Sequence, residues 1–90
     1  MPQCVVDQIT VMALNKEAGQ LVIIDCKNNI ISFDMDVFPQ MRPVRAFSCA
    51  TYLQEASDMA IYKGLYYITD YKTHSVVVCS MDGKHIDVLS

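Results

Sequence analysis

The sequence is poor in the residues that mark several classes of protein. It contains no tryptophan, three glycines and seven basic residues against ten acidic ones, which gives a net charge of −3. Because phosphate binding depends on clustered Lys and Arg, this balance argues against nucleic acid as the default partner. No apolar run approaches the roughly 18 residues that a membrane helix needs, and no basic leader with an apolar core opens the chain. We therefore expect no membrane partner, no secretory signal and a cytoplasmic location.

Cysteine pairs of the kind that bind zinc are also lacking. The four cysteines, Cys4, Cys26, Cys49 and Cys79, are each more than twenty residues apart, and no Cys-x-x-Cys pair or Cys/His cluster occurs. We predict no metal site and no cofactor. An even number of cysteines permits two disulfides, but three of the four lie in strand-like apolar runs, where reduced, buried cysteine is common. Free thiols are therefore the expectation.

What the chain does contain is a repeat. The segment that runs from Gly19 to Asp25 reappears from Gly64 to Asp70, with Gly, Ile, Asp and a later Lys at a constant spacing of 45 residues. An apolar run precedes the Asp in both copies. A period in the mid-forties that is built from short strands is typical of β-propeller blades.

Short β-branched and aromatic runs, bounded by Gly, Asn, Asp and Pro, support this interpretation, and helical periodicity is weak throughout. We predict strands at residues 9–14, 21–25, 30–34 and 44–49 in the first unit and at 59–62, 65–69, 75–80 and 85–89 in the second. Residues 22–24 and 76–78 are apolar on both faces, which is typical of strands covered on both sides.

The predicted fold is all-β. It comprises two four-stranded antiparallel blades of a β-propeller, preceded by a short N-terminal strand at Val5 and Val6. The predicted boundaries are 1–7 for the N-terminal strand, 8–50 for the first blade and 51–90 for the second. Two blades alone leave apolar faces and strand edges bare, so we expect self-association or docking on further blades.

The second unit resembles the NHL repeat. The resemblance lies in Asp58-Met59-Ala60-Ile61, in the strand that runs from Gly64 to Asp70, in His74-Ser75-Val76-Val77-Val78 and in Asp82-Gly83-Lys84. The first unit resembles the repeat more loosely, through Gly19, Asp25, Asn28, Asn29 and Ile31. Thr73 and Ser75 depart from the usual Asn and Arg of the second turn, and Asn29 and Ile30 from the His and Arg of the first.

A second resemblance competes with the first. Residues 65–70 followed by Met81-Asp82-Gly83-Lys84 are similar to the Tyr-Trp-Thr-Asp blades of extracellular lipoprotein-receptor propellers. Both families form six-bladed propellers. The histidine at position 74, the lack of tryptophan and the lack of a signal sequence favour the NHL repeat, whereas the receptor alternative predicts oxidised cysteines.

Asp25 and Asp70 recur at the end of the second strand of each unit, where we expect them to accept hydrogen bonds from the turn that follows. We expect His74 to bridge its turn to the adjacent blade, and Met12, Met35 and Met59 to fill gaps in the core. No residue is predicted to be catalytic.

The turns after the second strands and the loop between the blades should share one rim, and loops on a rigid scaffold concentrate binding residues. The candidate partner-binding residues are Lys27, Asn28, Asn29, Tyr52, Tyr71, Lys72, Thr73 and His74.

The resemblance to NHL repeats implies an interaction module that binds a protein or an RNA, and not an enzyme. The predicted rim also offers Lys27, Lys72, Tyr52 and Tyr71, which are the donors and stacking rings that a nucleic-acid site uses. Two alternatives remain open at this point. One is a fragment of an enzymatic propeller of the lyase or lactonase type, which needs metal ligands from several blades. The other is a fragment of the extracellular receptor propeller.

Overall fold

The structure is a computed structural model that describes residues 8–35 and 43–89. These residues form two four-stranded antiparallel sheets, in each of which the strands follow one another in sequence order. None of the described residues lies in an α-helix. The strands are β1 (Ile9–Asn15), β2 (Gln20–Asp25), β3 (Asn29–Asp34) and β4 (Pro43–Ser48) in the first sheet, and β5 (Ala56–Tyr62), β6 (Leu65–Asp70), β7 (Ser75–Ser80) and β8 (Ile86–Leu89) in the second. The predicted all-β class with two four-stranded sheets is confirmed.

The strand positions follow the sequence pattern closely, with one larger difference. Seven strands begin and end within one residue of the predicted bounds, whereas β5 begins at Ala56, three residues earlier than predicted. Ser57 and Asp58 had the composition of a loop, but Ala56 pairs with Asp70 and Asp58 with Thr69 across a register shift. The predicted N-terminal strand at residues 1–7 lies outside the described residues.

The register shift is itself part of the repeat. In β1 it falls between Ile9 and Val11, and in β5 it falls between Ala56 and Asp58. The residue inside each shift carries a hydroxyl that donates to the neighbouring strand: Thr10 Oγ1 to the Ile24 carbonyl at 3.0 Å, and Ser57 Oγ to the Thr69 carbonyl at 3.3 Å. Each bulge thus keeps a side-chain hydrogen bond where the backbone ladder is interrupted.

Three turns depend on residues that tolerate the left-handed backbone. Asn28 and His74 have φ values of 63° and 52° and occupy the last position of the equivalent β2–β3 and β6–β7 turns. Asn and His are enriched in this conformation. Lys63 and Gly64 form the two-residue β5–β6 turn with φ values of 49° and 77°, as a tight hairpin of the primed type requires.

The core lies between the two sheets. Side chains alternate along each strand, so one face of each sheet (its inner face) meets the other sheet, and the opposite face is here called the outer face. The residues that contribute to this core are fully or nearly buried: Val11, Val22, Ile24, Ile30, Cys49, Leu53, Ala56, Met59, Tyr66, Ile68, Val77 and Cys79. The closest approach of the sheets includes their first strands, β1 and β5.

Two expectations about burial are wrong in part. Met59 is buried, but Met12 is 65% exposed and Met35 is 42% exposed. Met12 lies on the face of β1 that points away from the second sheet, whereas its counterpart Met59 points toward the first sheet. The run from Val22 to Ile24 is buried throughout, as predicted, whereas in the run from Val76 to Val78 only Val77 is buried and its two neighbours are half-buried.

The described cysteines are free thiols. Cys26 is exposed, whereas Cys49, which follows β4, and Cys79, in β7, are completely buried between the sheets. The two buried thiols share a hydrogen bond, and that contact together with burial raises the pKa of Cys79. Cys4 lies outside the described residues. No helix among the described residues is long and apolar enough to cross a membrane.

Thiol reactivity tests this packing. In a Cys4→Ser variant under native conditions, Cys26 should react rapidly with a chromogenic disulfide reagent, whereas Cys49 and Cys79 should react only after unfolding, because the reagent cannot reach a completely buried thiol. The measurement is the time course of thiol release with and without denaturant. Equal native rates for all three thiols would show that the sheets are not packed together at this point.

A second contact between the sheets lies near their last strands. The β7–β8 turn places Gly83 against the ring of Phe47 in β4, and a Cβ atom at Gly83 would lie 2.6 Å from Phe47 Cδ2. Gly83 also has a φ of 76°. The glycine is therefore required both by the backbone conformation and by the aromatic side chain that covers it.

Two glycine substitutions separate these two requirements. Gly64→Ala meets no atom within 4 Å, so it should cost only the left-handed strain of about 1–2 kcal/mol. Gly83→Ala should cost this amount plus an overpacking penalty of about 1–3 kcal/mol. Chemical denaturation of the two variants measures the difference, and Phe47→Ala in the Gly83→Ala background should recover the overpacking part. Equal losses of stability in the two single variants would contradict the contact.

Candidate functional site

Three loops meet at one end of the two sheets. They are the β2–β3 turn at 26–28, the loop at 49–55 that joins the sheets, and the β6–β7 turn at 71–74. We call their combined surface the corner surface. The same backbone contact supports both turns: the Cys26 amide donates to the Gln8 carbonyl at 2.7 Å, and the Tyr71 amide donates to the Glu55 carbonyl at 2.9 Å.

Asp25 organises the first turn. It is 1% exposed, and its Oδ1 accepts hydrogen bonds from the backbone amides of Lys27 at 3.0 Å and Asn29 at 2.9 Å. Its Oδ2 accepts a hydrogen bond from Asn29 Nδ2 at 3.1 Å. The carboxylate is thus shared between the two ends of the turn, and the predicted role of Asp25 is confirmed.

Asp70 does the same for the second turn and also reaches the joining loop. Its Oδ1 accepts from the amides of Lys72 at 3.0 Å and Thr73 at 3.3 Å. The amide of Gln54 donates to Oδ2 at 2.8 Å, and that of Glu55 donates to Oδ1 at 3.2 Å. The turn that follows was predicted to supply the partners of Asp70. The two bonds from the joining loop were not predicted, because they span 15 and 16 residues of sequence.

Asn28 attaches the joining loop to the first sheet. Its Nδ2 donates to the carbonyls of Leu53 at 3.1 Å and Gln54 at 3.4 Å, and its own carbonyl accepts from the Cys49 amide at 2.8 Å. Residues 53–55 are therefore held from both sides, by Asn28 of the first sheet and by Asp70 of the second. The backbone of the corner surface is fixed before any partner arrives.

The ionisation of the two aspartates reflects these contacts. Burial alone would raise the pKa of Asp25, but the hydrogen bonds that Asn29 and Lys27 donate outweigh it and hold the pKa below its ordinary value. Burial would likewise raise the pKa of Asp70, and the four backbone amides of Gln54, Glu55, Lys72 and Thr73 lower it instead. Both side chains are carboxylates that accept hydrogen bonds.

Several exposed side chains lie around this fixed backbone. Tyr71 is 69% exposed and Tyr52 is 44% exposed. The ring of Tyr71 lies 6.4 Å from that of His74, centroid to centroid, at an angle of 46°. Lys27 and Lys72 are exposed on the two turns. Exposed tyrosine rings of this kind are enriched at protein–protein interfaces.

The predicted partner-binding residues thus divide into two groups. The side chains of Asn28, Asn29 and Thr73 are engaged within the fold, Thr73 through a 2.6 Å hydrogen bond between its hydroxyl and that of Ser75. The side chains of Lys27, Tyr52, Tyr71, Lys72 and His74 are exposed at the corner surface. The expectation that His74 bridges to the adjacent sheet stays a prediction, and the ring contact described for His74 is with Tyr71 of its own turn.

Sequence reasoning missed two members of this surface. Cys26 is exposed at the start of the first turn, at the position equivalent to Tyr71. Glu55 places a carboxylate at the end of the joining loop and receives the Tyr71 amide through its backbone. The spacing of 45 residues between Cys26 and Tyr71 was the signal that could have identified the first of them.

The opposite end of the sheets carries a crevice of about 340 Å³ between the β1–β2 and β5–β6 turns, lined by Leu14, Ile61 and Lys63 among others. Within residues 8–35 and 43–89, no group of three or more His, Cys, Asp or Glu side chains is placed to hold a metal ion. No protein-family model matches the chain, and no curated protein shows significant similarity to it.

Acid should weaken the fold through the two aspartates. Their pKa values are lowered in the folded chain, so their stabilisation is complete above the unfolded value of about 3.9 and is lost as the pH falls through the folded values. Asp70→Asn should lower the free energy of unfolding at neutral pH by about 2 kcal/mol, because an amide cannot accept from amides on both sides. The variant should also lose less stability than the parent protein as the pH falls into the acid range.

The measurement is urea denaturation between neutral and strongly acidic pH. Asp87→Asn is the matched control, because Asp87 is exposed on β8 and its change should stay within about 0.5 kcal/mol of the parent. If Asp70→Asn had the stability and the pH dependence of the parent protein, the Asp70 hydrogen bonds would not be structural.

Proposed function

We propose that the chain is an interaction module: two NHL-like blades of a propeller-type fold whose corner surface binds a segment of another protein. The observation that carries the proposal is the pairing of exposed Tyr52 and Tyr71 with a backbone that Asp25, Asn28 and Asp70 hold rigid. Tyrosine gives a large contact area for little loss of side-chain entropy. A loop that is already ordered does not lose further backbone entropy when it binds.

A protein partner fits the charges of this surface better than RNA. The corner surface carries two exposed lysines and the exposed carboxylate of Glu55, and the whole chain carries a net charge of −3. Binding to a phosphate backbone rests on several clustered basic side chains. Two lysines beside tyrosines suit a peptide that carries an acidic and an apolar side chain. RNA binding by stacking on the same tyrosines is the alternative outcome.

Binding, and not catalysis, also accounts for the recurring polar residues. Asp25 and Asp70 are committed to backbone amides, and His74 contacts a tyrosine ring on its own turn. A general base needs a proton donor or nucleophile within hydrogen-bond reach. Free thiols at Cys26, Cys49 and Cys79 favour a cytoplasmic location over the extracellular receptor alternative, because disulfides form in oxidising compartments.

A selection experiment tests the proposal. The immobilised protein is offered a phage library of random peptides, and binding of the selected peptides is measured by fluorescence anisotropy. We expect micromolar binding that the double variant Tyr52→Ala/Tyr71→Ala weakens by about 10-fold or more, which corresponds to about 1.4 kcal/mol. Fluorescent uridine and adenosine oligonucleotides are measured in parallel and should bind far more weakly.

Tyr62→Ala is the matched control, because Tyr62 is 61% exposed at the opposite end of the second sheet. It should leave peptide binding unchanged. If the selected peptides bound the double variant Tyr52→Ala/Tyr71→Ala as tightly as the parent protein, the corner surface would not be the binding site. Tight oligonucleotide binding that depends on Tyr52 and Tyr71 would replace the protein partner with RNA.

A further inference from the structure

The outer face of the first sheet is apolar along three strands. The cross-strand pairs Met12–Ile23, Leu14–Leu21, Leu21–Phe33 and Ile23–Ile31 place all six of these side chains on the same face. The partners Val11, Val22, Ile24 and Ile30 occupy the inner face, where they meet the second sheet. The first sheet therefore has apolar side chains on both faces, although only one face meets the second sheet.

The second sheet shows what such a face packs against. By strand and position, the six outer residues of the first sheet correspond to Met59, Ile61, Tyr66, Ile68, Val77 and Cys79. In the second sheet these residues form the inner face, and all of them belong to the core or pack against it. The face of the second sheet that packs against the first sheet is therefore equivalent, by strand and position, to the outer face of the first sheet.

Exposure shows where that outer face is uncovered. Met12 is 65% exposed whereas its counterpart Met59 is 8% exposed. Leu14 is 48% exposed, whereas its counterpart Ile61 packs against the core. Ile23 and Ile31 in the middle of the face are already buried. The free apolar surface therefore runs along β1, the strand that corresponds to β5 at the internal contact of the sheets.

The complementary surface exists on the same chain. The outer face of the second sheet corresponds to the inner face of the first, with Ala60 at the position of Ala13 and Tyr67 at that of Val22. The outer face of the second sheet also carries Tyr62, which is 61% exposed, and Leu89, which is 56% exposed. One chain thus carries exposed apolar side chains on both surfaces, Met12 and Leu14 on the first sheet and Tyr62 and Leu89 on the second.

We propose that a second copy of this chain docks head to tail, with the outer face of its second sheet on the β1 side of the first sheet's outer face. The surfaces that meet are different on the two copies, so the contact is heterologous and closes into a ring when the rotation permits. This proposal goes beyond the corner surface and does not depend on it.

Asp58 sets the strength of the contact. It occupies the position in β5 that Val11 occupies in β1, and Val11 is 5% exposed at the internal contact. A carboxylate at this position opposes burial. The association of copies is therefore weaker than the internal contact of the sheets, and Asp58→Val should tighten it by about 10-fold or more.

Sedimentation equilibrium over the micromolar to submillimolar range provides the test. We expect the parent protein to sediment above its chain mass of 10.1 kDa and Asp58→Val to do so at lower concentration. One double variant, Met12→Glu/Leu14→Glu, blocks the β1 surface. Another double variant, Ala60→Glu/Tyr62→Glu, blocks the outer face of the second sheet. Each of the two double variants should be a monomer when measured alone. Circular dichroism of each variant establishes that it is folded.

Mixing the two blocked variants distinguishes a head-to-tail contact from any other. Each retains the surface that the other has lost, so an equimolar mixture should form a heterodimer and nothing larger. Thr51→Glu/Gln54→Glu, which adds the same charge at exposed positions of the joining loop, should associate like the parent. A monomeric parent at the highest concentration, parent-like association of either blocked variant, or a mixture without heterodimer would overturn the proposal.

Discussion

A buried carboxylate that must be satisfied by backbone amides organises this molecule. Asp70 is 2% exposed and accepts from four amides, two of the turn that follows it and two of the loop that joins the sheets. An uncompensated carboxylate at this depth would be strongly unfavourable. The turn and the joining loop are therefore tied to one another as well as to β6, and the tyrosines of the corner surface are carried on that fixed backbone.

Each sheet has a buried aspartate that accepts hydrogen bonds from the turn after it, but the two aspartates differ in their other partners. In the first sheet, Asp25 satisfies its second oxygen with the side chain of Asn29 instead of a joining loop. The β2–β3 turn is one residue shorter than the β6–β7 turn, so Asn28 and not Asn29 is the counterpart of His74. Asn28 then uses its amide to hold residues 53 and 54. The two repeats thus use different side chains, Asn28 and Asp70, to hold the same joining loop.

Local features of the sequence predicted most of the architecture. The spacing between Gly19 and Gly64 and the alternation of apolar residues gave the strands, and the recurrence of Asp25 and Asp70 indicated their role in turns. Features that depend on contacts between distant residues were not predictable in this way. Whether Met12 is buried depends on which face of β1 meets another sheet. The bonds from Gln54 and Glu55 to Asp70 depend on the pairing of β5 with β6, which brings together residues 15 and 16 positions apart.

The bulge at the start of β5 has a similar explanation. Ser57 and Asp58 are typical of loops, but the Ser57 hydroxyl bonds to β6 as Thr10 bonds to β2. Pairing with the neighbouring strand outweighs the preference of the isolated residues. We propose that the corner surface and the outer face of the first sheet serve two different kinds of contact.

Amide hydrogen exchange, measured residue by residue by nuclear magnetic resonance, tests the central role of Asp70 most directly. In the parent protein the amides of Gln54, Glu55, Lys72 and Thr73 should be protected although they lie outside strands. In Asp70→Asn the protection of all four should fall together, while that of amides inside β2 and β3 persists, because those strands form a separate sheet. Unchanged protection of the four amides in this variant would contradict the account.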